Sequence, residues 1–114
     1  MPAQKLHLRG SNRIEQGSTY EIEITVRNAD GSLYDLSAAS CAAQIRATAA
    51  ATTSTAFTVA IDTATSIITL SLSATITAAM TITDGVWDCE LTIGAEVVRL
   101  LEGKVEISSE VTRA

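Results

Sequence analysis

The feature that most constrains the fold is a pair of strand patterns joined by a turn, between residues 85 and 113. Four apolar residues alternate with polar ones, and these are Trp87, Cys89, Leu91 and Ile93. This is the period of a strand with one buried face and one wet face. Gly94 and Ala95 follow as a two-residue link with glycine first, as a type II′ hairpin turn requires. The pattern therefore predicts an antiparallel hairpin.

The two-residue link also fixes the register of this hairpin. The predicted pairs are Ile93 with Glu96, Leu91 with Val98, Glu90 with Arg99, and Cys89 with Leu100. Beyond Leu100 the apolar positions become odd-numbered, as at Leu101, Val105 and Ile107. A β-bulge near Glu102 and Gly103 would return these residues to the core, because glycine accepts the αL conformation of a G1 bulge. We expect a bent second strand.

Alternating patterns elsewhere predict further short strands. They cover a short segment at residues 6–8, Thr19 to Arg27, 41–46, 57–61 and 68–72, with an edge segment at 33–36. Ala47 to Ala56 contains only Ala, Thr and Ser, which indicates a surface loop or a frayed strand end. Asp84 and Gly85 indicate a turn. The strands are predicted to form successive hairpins.

One segment favours a helix. Ser73 can cap a short helical crossover that ends at Met80, with Ile76, Ala79 and Met80 spaced to touch the core. The 114 residues suffice for one domain, 1–114. We therefore expect an antiparallel β-sandwich of immunoglobulin-like size with at most one short helix. The sequence has no apolar run of membrane-spanning length and no secretory signal, so a soluble protein made in the cytoplasm is expected.

Charge is distributed unevenly along the chain. Residues 1–14 hold three of the eight basic side chains, Lys5, Arg9 and Arg13, and none of the thirteen acidic ones. Residues 1–17 are either an ordinary first strand and loop or a basic arm that docks on an acidic partner. An arm could be removed, through residue 13, without unfolding the domain. The acidic remainder argues against nucleic-acid binding, because phosphate contacts need a basic face.

The sequence offers little catalytic chemistry. His7 is the single histidine, and no nucleophile is placed beside it by a recognisable motif. The carboxylate pairs Glu21/Glu23 and Asp88/Glu90 lie on single strand faces, where calcium sites and ordinary solvated residues both occur. We expect no enzyme activity, no cofactor and no metal.

Two cysteines, Cys41 and Cys89, are predicted to point inward from different strands. An immunoglobulin-like disulfide between sheets is one interpretation, although Trp87 precedes the second cysteine instead of following the first. Two buried thiols are the favoured interpretation, because no secretion signal is present.

Three segments, taken in order, resemble a known group of proteins. They are NADGSLYDLSAAS, SIITLSLSATITAAM and GVWDCELTIGAEVVRLLEGKVEISSEVTR. This order resembles small phage tail and baseplate proteins, including the N-terminal domain of baseplate upper proteins. The matching positions are Asp30, Gly31, Asp35, Leu36, Ser37, Ser73, Thr77, Asp88, Arg99, Leu100, Leu101, Gly103, Val105, Ile107, Val111, Thr112 and Arg113. Ala38, Trp87 and Cys89 depart from the residues usual in that group.

The resemblance implies a non-enzymatic structural protein of a tailed phage virion, in the tail, baseplate or fibre-attachment region. Its expected partners are other virion proteins and copies of itself in a homo-oligomer, with no nucleic acid and no membrane. A capsid decoration protein of the phage head is the alternative. A carbohydrate-binding module is the third hypothesis, and it would need exposed aromatic residues on a flat face.

Overall fold

The computed structural model describes residues 4–109 and forms two β-sheets with one core between them. The strands are β1 (Gln4–Lys5), β2 (Ile14–Glu15), β3 (Tyr20–Thr25), β4 (Ala39–Arg46), β5 (Thr55–Ala56), β6 (Thr58–Asp62), β7 (Ile67–Leu72), β8 (Asp84–Ile93) and β9 (Glu96–Ser108). The larger sheet has the order β1-β9-β8-β4-β5, with β2 also paired to β9, and the smaller has the order β3-β7-β6. The predicted sandwich-like all-β fold is confirmed.

The core is aliphatic with a short row of aromatic rings through it. Alternate residues of each strand point inward, as at Leu70 of the small sheet and Ile45 of the large sheet. Phe57, where the chain passes from β5 to β6, packs between Tyr20 at 6.4 Å and Trp87 at 5.9 Å between ring centroids. All three rings are buried. Phe57 thereby ties the two sheets together at the point where the chain changes sheet.

The β8–β9 hairpin has the predicted turn and most of the predicted register. Gly94 has φ +60° and Ala95 does not have positive φ, which agrees with a type II′ turn. Ile93 pairs with Glu96, Leu91 with Val98, and Glu90 with Arg99, as expected. The predicted Cys89–Leu100 pair is wrong: Cys89 pairs with Leu101, so the bulge falls at Leu100 and not at Glu102 and Gly103. The bulge still brings Leu101, Val105 and Ile107 into the core.

The N-terminal segment is an integral part of the large sheet. β1 and β2 both run parallel to β9, with Gln4 opposite Leu101 and Ile14 opposite Ile107. Leu8 forms an isolated parallel bridge to Val105 between them, and the side chains of Leu8 and Ile14 are fully buried. The segment supplies a core side chain, Leu8, and covers one edge of β9. Contrary to the expectation from sequence, we therefore predict that removal of residues 1–13 destabilises the domain.

Two local predictions also change. Helix α1 (Ala74–Ala78) is capped by Ser73 as expected, but Ile76 is exposed and Thr77 is the buried residue of the helix. Gly85 is not in a turn, since it belongs to β8 and pairs with Val105. Its missing side chain leaves room for the Arg46 carbonyl. Within residues 4–109, no helix has the length and apolar character needed to cross a membrane.

Substitution of Leu8 tests whether the N-terminal segment belongs to the core. Leu8→Ala removes a fully buried side chain, and we expect it to lower the free energy of unfolding by about 2–5 kcal/mol. Leu33→Ala is the matched control, because Leu33 is 45% exposed, and we expect it to cost under about 1 kcal/mol. Urea titration followed by Trp87 fluorescence measures both. Equal, small losses would contradict the docked segment.

Candidate interaction surface

A concave cleft lies on the outer face of the large sheet, away from the core. Its volume is about 390 Å³. Val86 and Asp88 of β8 lie in the middle of its lining, between Lys5 and His7 on one side and Ala49 of the β4–β5 loop on the other. The remaining lining residues are Gln44, Arg46, Trp87, Arg99, Glu102, Gly103 and Lys104. Eight of its twelve lining residues have polar or charged side chains, and their apolar stems together with Ala49, Val86 and Trp87 contribute much of its surface.

One wall of the cleft is held by a close approach of the N-terminal segment to β9. The Leu6 carbonyl accepts a hydrogen bond from Trp87 Nε1 at 2.7 Å. It lies so close to Gly103 that a Cβ there would collide with this carbonyl. Glycine at 103 is therefore required for close packing of two backbones and not for a bulge.

His7 completes this wall by replacing a backbone acceptor. The Leu6 carbonyl is occupied by Trp87, and the backbone N–H of Lys104 donates instead to His7 Nδ1 at 3.0 Å. Regular pairing resumes on either side, where Leu6 N–H donates to Glu102 and Leu8 N–H to Lys104. The histidine therefore has a structural hydrogen bond in the segment between β1 and Leu8.

The opposite wall is fastened by Arg46 at the end of β4. Its Nη1 donates to the Ala51 carbonyl at 2.7 Å, and its Nη2 donates to Gln44 Oε1 at 2.9 Å. These bonds hold the β4–β5 loop, residues 47–54, beside the sheet. Residues 47–54 of the predicted surface loop are therefore a loop at the rim of the cleft, and residues 55–56 form β5.

Charged side chains line the cleft in rows across the strands. Arg46, Val86 and Lys104 form one row, and Asp88, Glu102 and Lys5 belong to the next. Lys5 Nζ lies 3.4 Å from Glu102, and Arg99 Nε lies 3.6 Å from Asp88. Arg46 and Lys104 form no ion pair within residues 4–109. The cleft therefore has two uncompensated cations, in a chain whose net charge is −5.

The three basic residues predicted to dock on a partner are not brought together. Lys5 lines the cleft. Arg13 contacts residues close to it in sequence: it donates a hydrogen bond to the Gly10 carbonyl at 2.8 Å and forms an ion pair with Glu15 at 3.3 Å. Arg9 is exposed at the start of a 3-10 turn, Gly10–Asn12. These three residues do not form one cationic arm.

The cations that do cluster with Lys5 come from distant parts of the sequence. Arg46 and Lys104 are next to buried residues on β4 and β9, and Arg99 lies between two half-buried residues. Each could therefore be assigned to an outward face from its strand pattern. Their proximity depends on the strand order β9-β8-β4 and on the bulge at Leu100. Neither feature is visible in the local pattern.

The two carboxylate pairs are separated by the fold. Glu21 and Glu23 are exposed on the outer face of β3, and Asp88 and Glu90 are half-buried on the outer face of β8. Across the described part of the chain, no three His, Cys, Asp or Glu side chains are grouped to hold a metal ion. Every buried side-chain nitrogen and oxygen described has a hydrogen-bond partner.

The two cysteines are diagonal neighbours in one sheet and do not bridge the two sheets. Cys41 pairs with Leu91 and Cys89 with Ala43, and both cysteines are free thiols with their Sγ atoms 3.2 Å apart. The hydrogen bond from Cys89 lowers the pKa of Cys41, which is half-buried. The same bond, together with burial, raises the pKa of the Cys89 thiol. Cys41 is therefore the more reactive thiol.

Comparison with known proteins gives no relative: no family model matches the chain, and no curated protein matches it either.

Substitution of Gly103 tests the close approach that holds the cleft wall. Gly103→Ala places a methyl group against the Leu6 carbonyl, and we expect a loss of about 2–3 kcal/mol with faster amide exchange at Leu6 and Leu8. Gly94→Ala is the control, because a Cβ there meets no atom within 4 Å and only the positive φ costs energy, about 1 kcal/mol. Unchanged amide exchange at Leu6 would contradict the contact.

Alkylation separates the two thiols. In the folded protein we expect iodoacetamide to modify Cys41 first. The pH at which this reaction reaches half its maximal rate should lie below the ordinary thiol pKa of about 8.5, because the hydrogen bond from Cys89 favours the Cys41 thiolate. Cys89 should stay unmodified until the protein is unfolded in urea, where both cysteines should react alike. Peptide mass spectrometry over a pH series measures both rates. Equal rates in the folded protein would refute the assignment.

Proposed function

We propose that this chain is a non-enzymatic structural protein of a tailed phage virion, located in the tail, baseplate or fibre-attachment region. The observation that supports the proposal is that the residues on which the resemblance to phage tail and baseplate proteins rests make contacts that build this fold. These residues stabilise the fold, and the function of the protein then depends on the surfaces that the fold presents.

The closing segment of the resemblance is the strand that organises the large sheet. β9 is the longest strand, and it pairs with β8 on one side and with the N-terminal segment on the other. Within it, Leu101, Val105 and Ile107 fill the core, and Gly103 admits the Leu6 carbonyl. Arg99 forms an ion pair with Asp88, another matched position. The matched residues Val111, Thr112 and Arg113 lie outside the described residues.

The middle segment of the resemblance fixes the helical crossover. Ser73 accepts a hydrogen bond from the Ile76 N–H at 3.2 Å, which caps helix α1. Thr77 is fully buried, and its hydroxyl donates to the Ser18 carbonyl at 2.8 Å and accepts from the Gly17 N–H at 3.0 Å. Ser73 thus fixes the start of the helix, and Thr77 joins the helix to the loop that precedes β3.

The first segment makes two turns by side-chain hydrogen bonds. The hydroxyl and the N–H of Ser32 both donate to Asp30, at 2.6 and 2.9 Å, and lower the pKa of that carboxyl. The Ser37 N–H likewise donates to Asp35 at 3.0 Å and lowers its pKa. Both are Asx-turns, in which the carboxylate takes the place of a backbone acceptor.

Aromatic burial weighs against the carbohydrate-binding hypothesis. Such a module stacks sugars on exposed rings, but Tyr20, Phe57 and Trp87 are at most 9% exposed. Tyr34, the fourth aromatic residue of the chain, is half-buried. No pair of these rings offers a flat exposed platform.

Copy number in purified phage particles tests the virion function. Quantitative mass spectrometry against the major capsid protein should find the chain at a handful to a few dozen copies per particle if it belongs to the tail or baseplate. Copies on the order of hundreds would favour decoration of the head, since icosahedral shells repeat each site many times. Absence from particles produced in cells that make the chain would overturn the proposal.

A further inference from the structure

The outer face of the small sheet and the cleft on the large sheet carry different charge. On the small sheet, β3, β6 and β7 contain no Lys or Arg, and their outward residues include three acids, Glu21, Glu23 and Asp62. Arg27 lies beyond the end of β3, with its Nη1 bound to the Gly31 carbonyl at 2.9 Å. On the large sheet the cleft is lined by four Lys or Arg and two acids. The small-sheet face is acidic, whereas the cleft contains an excess of cations. The rest of the large-sheet face holds the acids Asp84, Glu90 and Glu106, so the excess is confined to the cleft.

The acidic face is also smooth. Its rows across the strands are Glu21–Ser71–Thr58, Glu23–Thr69–Ala60 and Thr25–Ile67–Asp62. Most of these side chains are small, so another surface can approach the sheet closely. β3 is an edge strand paired only with β7, which leaves Glu21 and Glu23 at the border of the face. The two glutamates can therefore enter a concave site without a further strand in the way.

The spacing of the two charge pairs is compatible. Glu21 and Glu23 are two residues apart on one strand, which places their Cα atoms about 7 Å apart. Arg46 and Lys104 flank Val86 in one row and are separated by two strand spacings, about 10 Å. Side chains of this length bridge the difference. Both cations are without an acidic partner in the described chain. Lys104 is exposed, and Arg46 keeps further N–H donors beside those that bind Ala51 and Gln44.

We infer that the Glu21/Glu23 face of one copy docks in the cation-lined cleft of a second copy. Because the two surfaces lie on opposite sides of the sandwich, the contact is heterologous, and repeated copies form a ring or an open stack. The inference supplies surfaces for the self-association in the proposed function, but it is tested on the isolated protein. Three short strands present only roughly 250 Å², against about 800 Å² per partner in a standard interface. A weak, salt-sensitive contact is expected.

Sedimentation velocity at protein concentrations up to about 1 mM measures the association in the range of weak contacts. We expect wild-type chains to self-associate in about 0.1 M NaCl and to dissociate in about 1 M, where the Debye length falls from about 10 Å to about 3 Å. Lys104→Glu and the double variant Glu21→Gln/Glu23→Gln should each weaken self-association at least about tenfold. Arg13→Glu and Glu96→Gln are the charge controls, because both residues lie outside the two faces, and they should change little.

A mixture of the two defective variants gives the sharper test. The Lys104→Glu chain retains the acidic face, and the Glu21→Gln/Glu23→Gln chain retains the cleft. Mixed together, they should form a one-to-one heterodimer that grows no further. A wild-type chain that stays monomeric at about 1 mM, or variants that associate like wild type, would overturn the inference. A monomeric chain found in virions would leave the proposed function intact, whereas an associating chain absent from virions would remove that function alone.

Discussion

The contact on which the rest of this structure depends is the seating of the Leu6 carbonyl over Gly103, where it accepts the indole hydrogen bond of Trp87. It positions a core side chain, covers one edge of β9 and builds one wall of the cleft. A buried indole N–H without an acceptor would cost on the order of 1–3 kcal/mol. Docking of the N-terminal segment buries the Trp87 indole N–H and also supplies its acceptor, the Leu6 carbonyl. Replacement of either partner affects the sheet edge and the cleft wall together.

The same contact changes the role of the first basic residues. Lys5 is placed in register with Glu102 because β1 runs parallel to β9, and this register brings it to the row of charges on the outer face. Arg9 and Arg13 come later, at the 3-10 turn, and Arg13 binds the Gly10 carbonyl and Glu15. The charge of the segment is thus divided between a surface role and a local one.

Local sequence patterns predicted the parts of the fold that depend on neighbouring residues. The type II′ turn at Gly94, the cap at Ser73 and the inward residues of β3, β4, β6, β7 and β8 are short-range features, and sterics and hydrogen bonding determine them locally. The bulge was predicted near Glu102 and Gly103 but lies at Leu100. A glycine at 103 can indicate either a bulge or a close backbone approach, and the alternation of apolar residues does not separate the two. The parallel N-terminal pairing and the Arg46–Val86–Lys104 row join distant segments, for which a single sequence contains no local signal. The outward orientation of individual cleft residues could therefore be predicted from the sequence, but the cleft that they form together could not.

The pairing of the first strand with the last has a consequence for how the chain acquires its structure during synthesis. His7 and Lys104 are hydrogen-bonded although 97 residues separate them. β3, β6 and β7 can pair and collapse while translation continues, but the N-terminal segment has no partner until β9 has left the ribosome. Leu8 and Ile14 therefore stay exposed to solvent through most of translation. Closure of the large sheet is a late, long-range step of the kind that slows folding. The nascent chain is thus most open to chaperones, proteases and misdirected strand pairing at the segment that later completes its core.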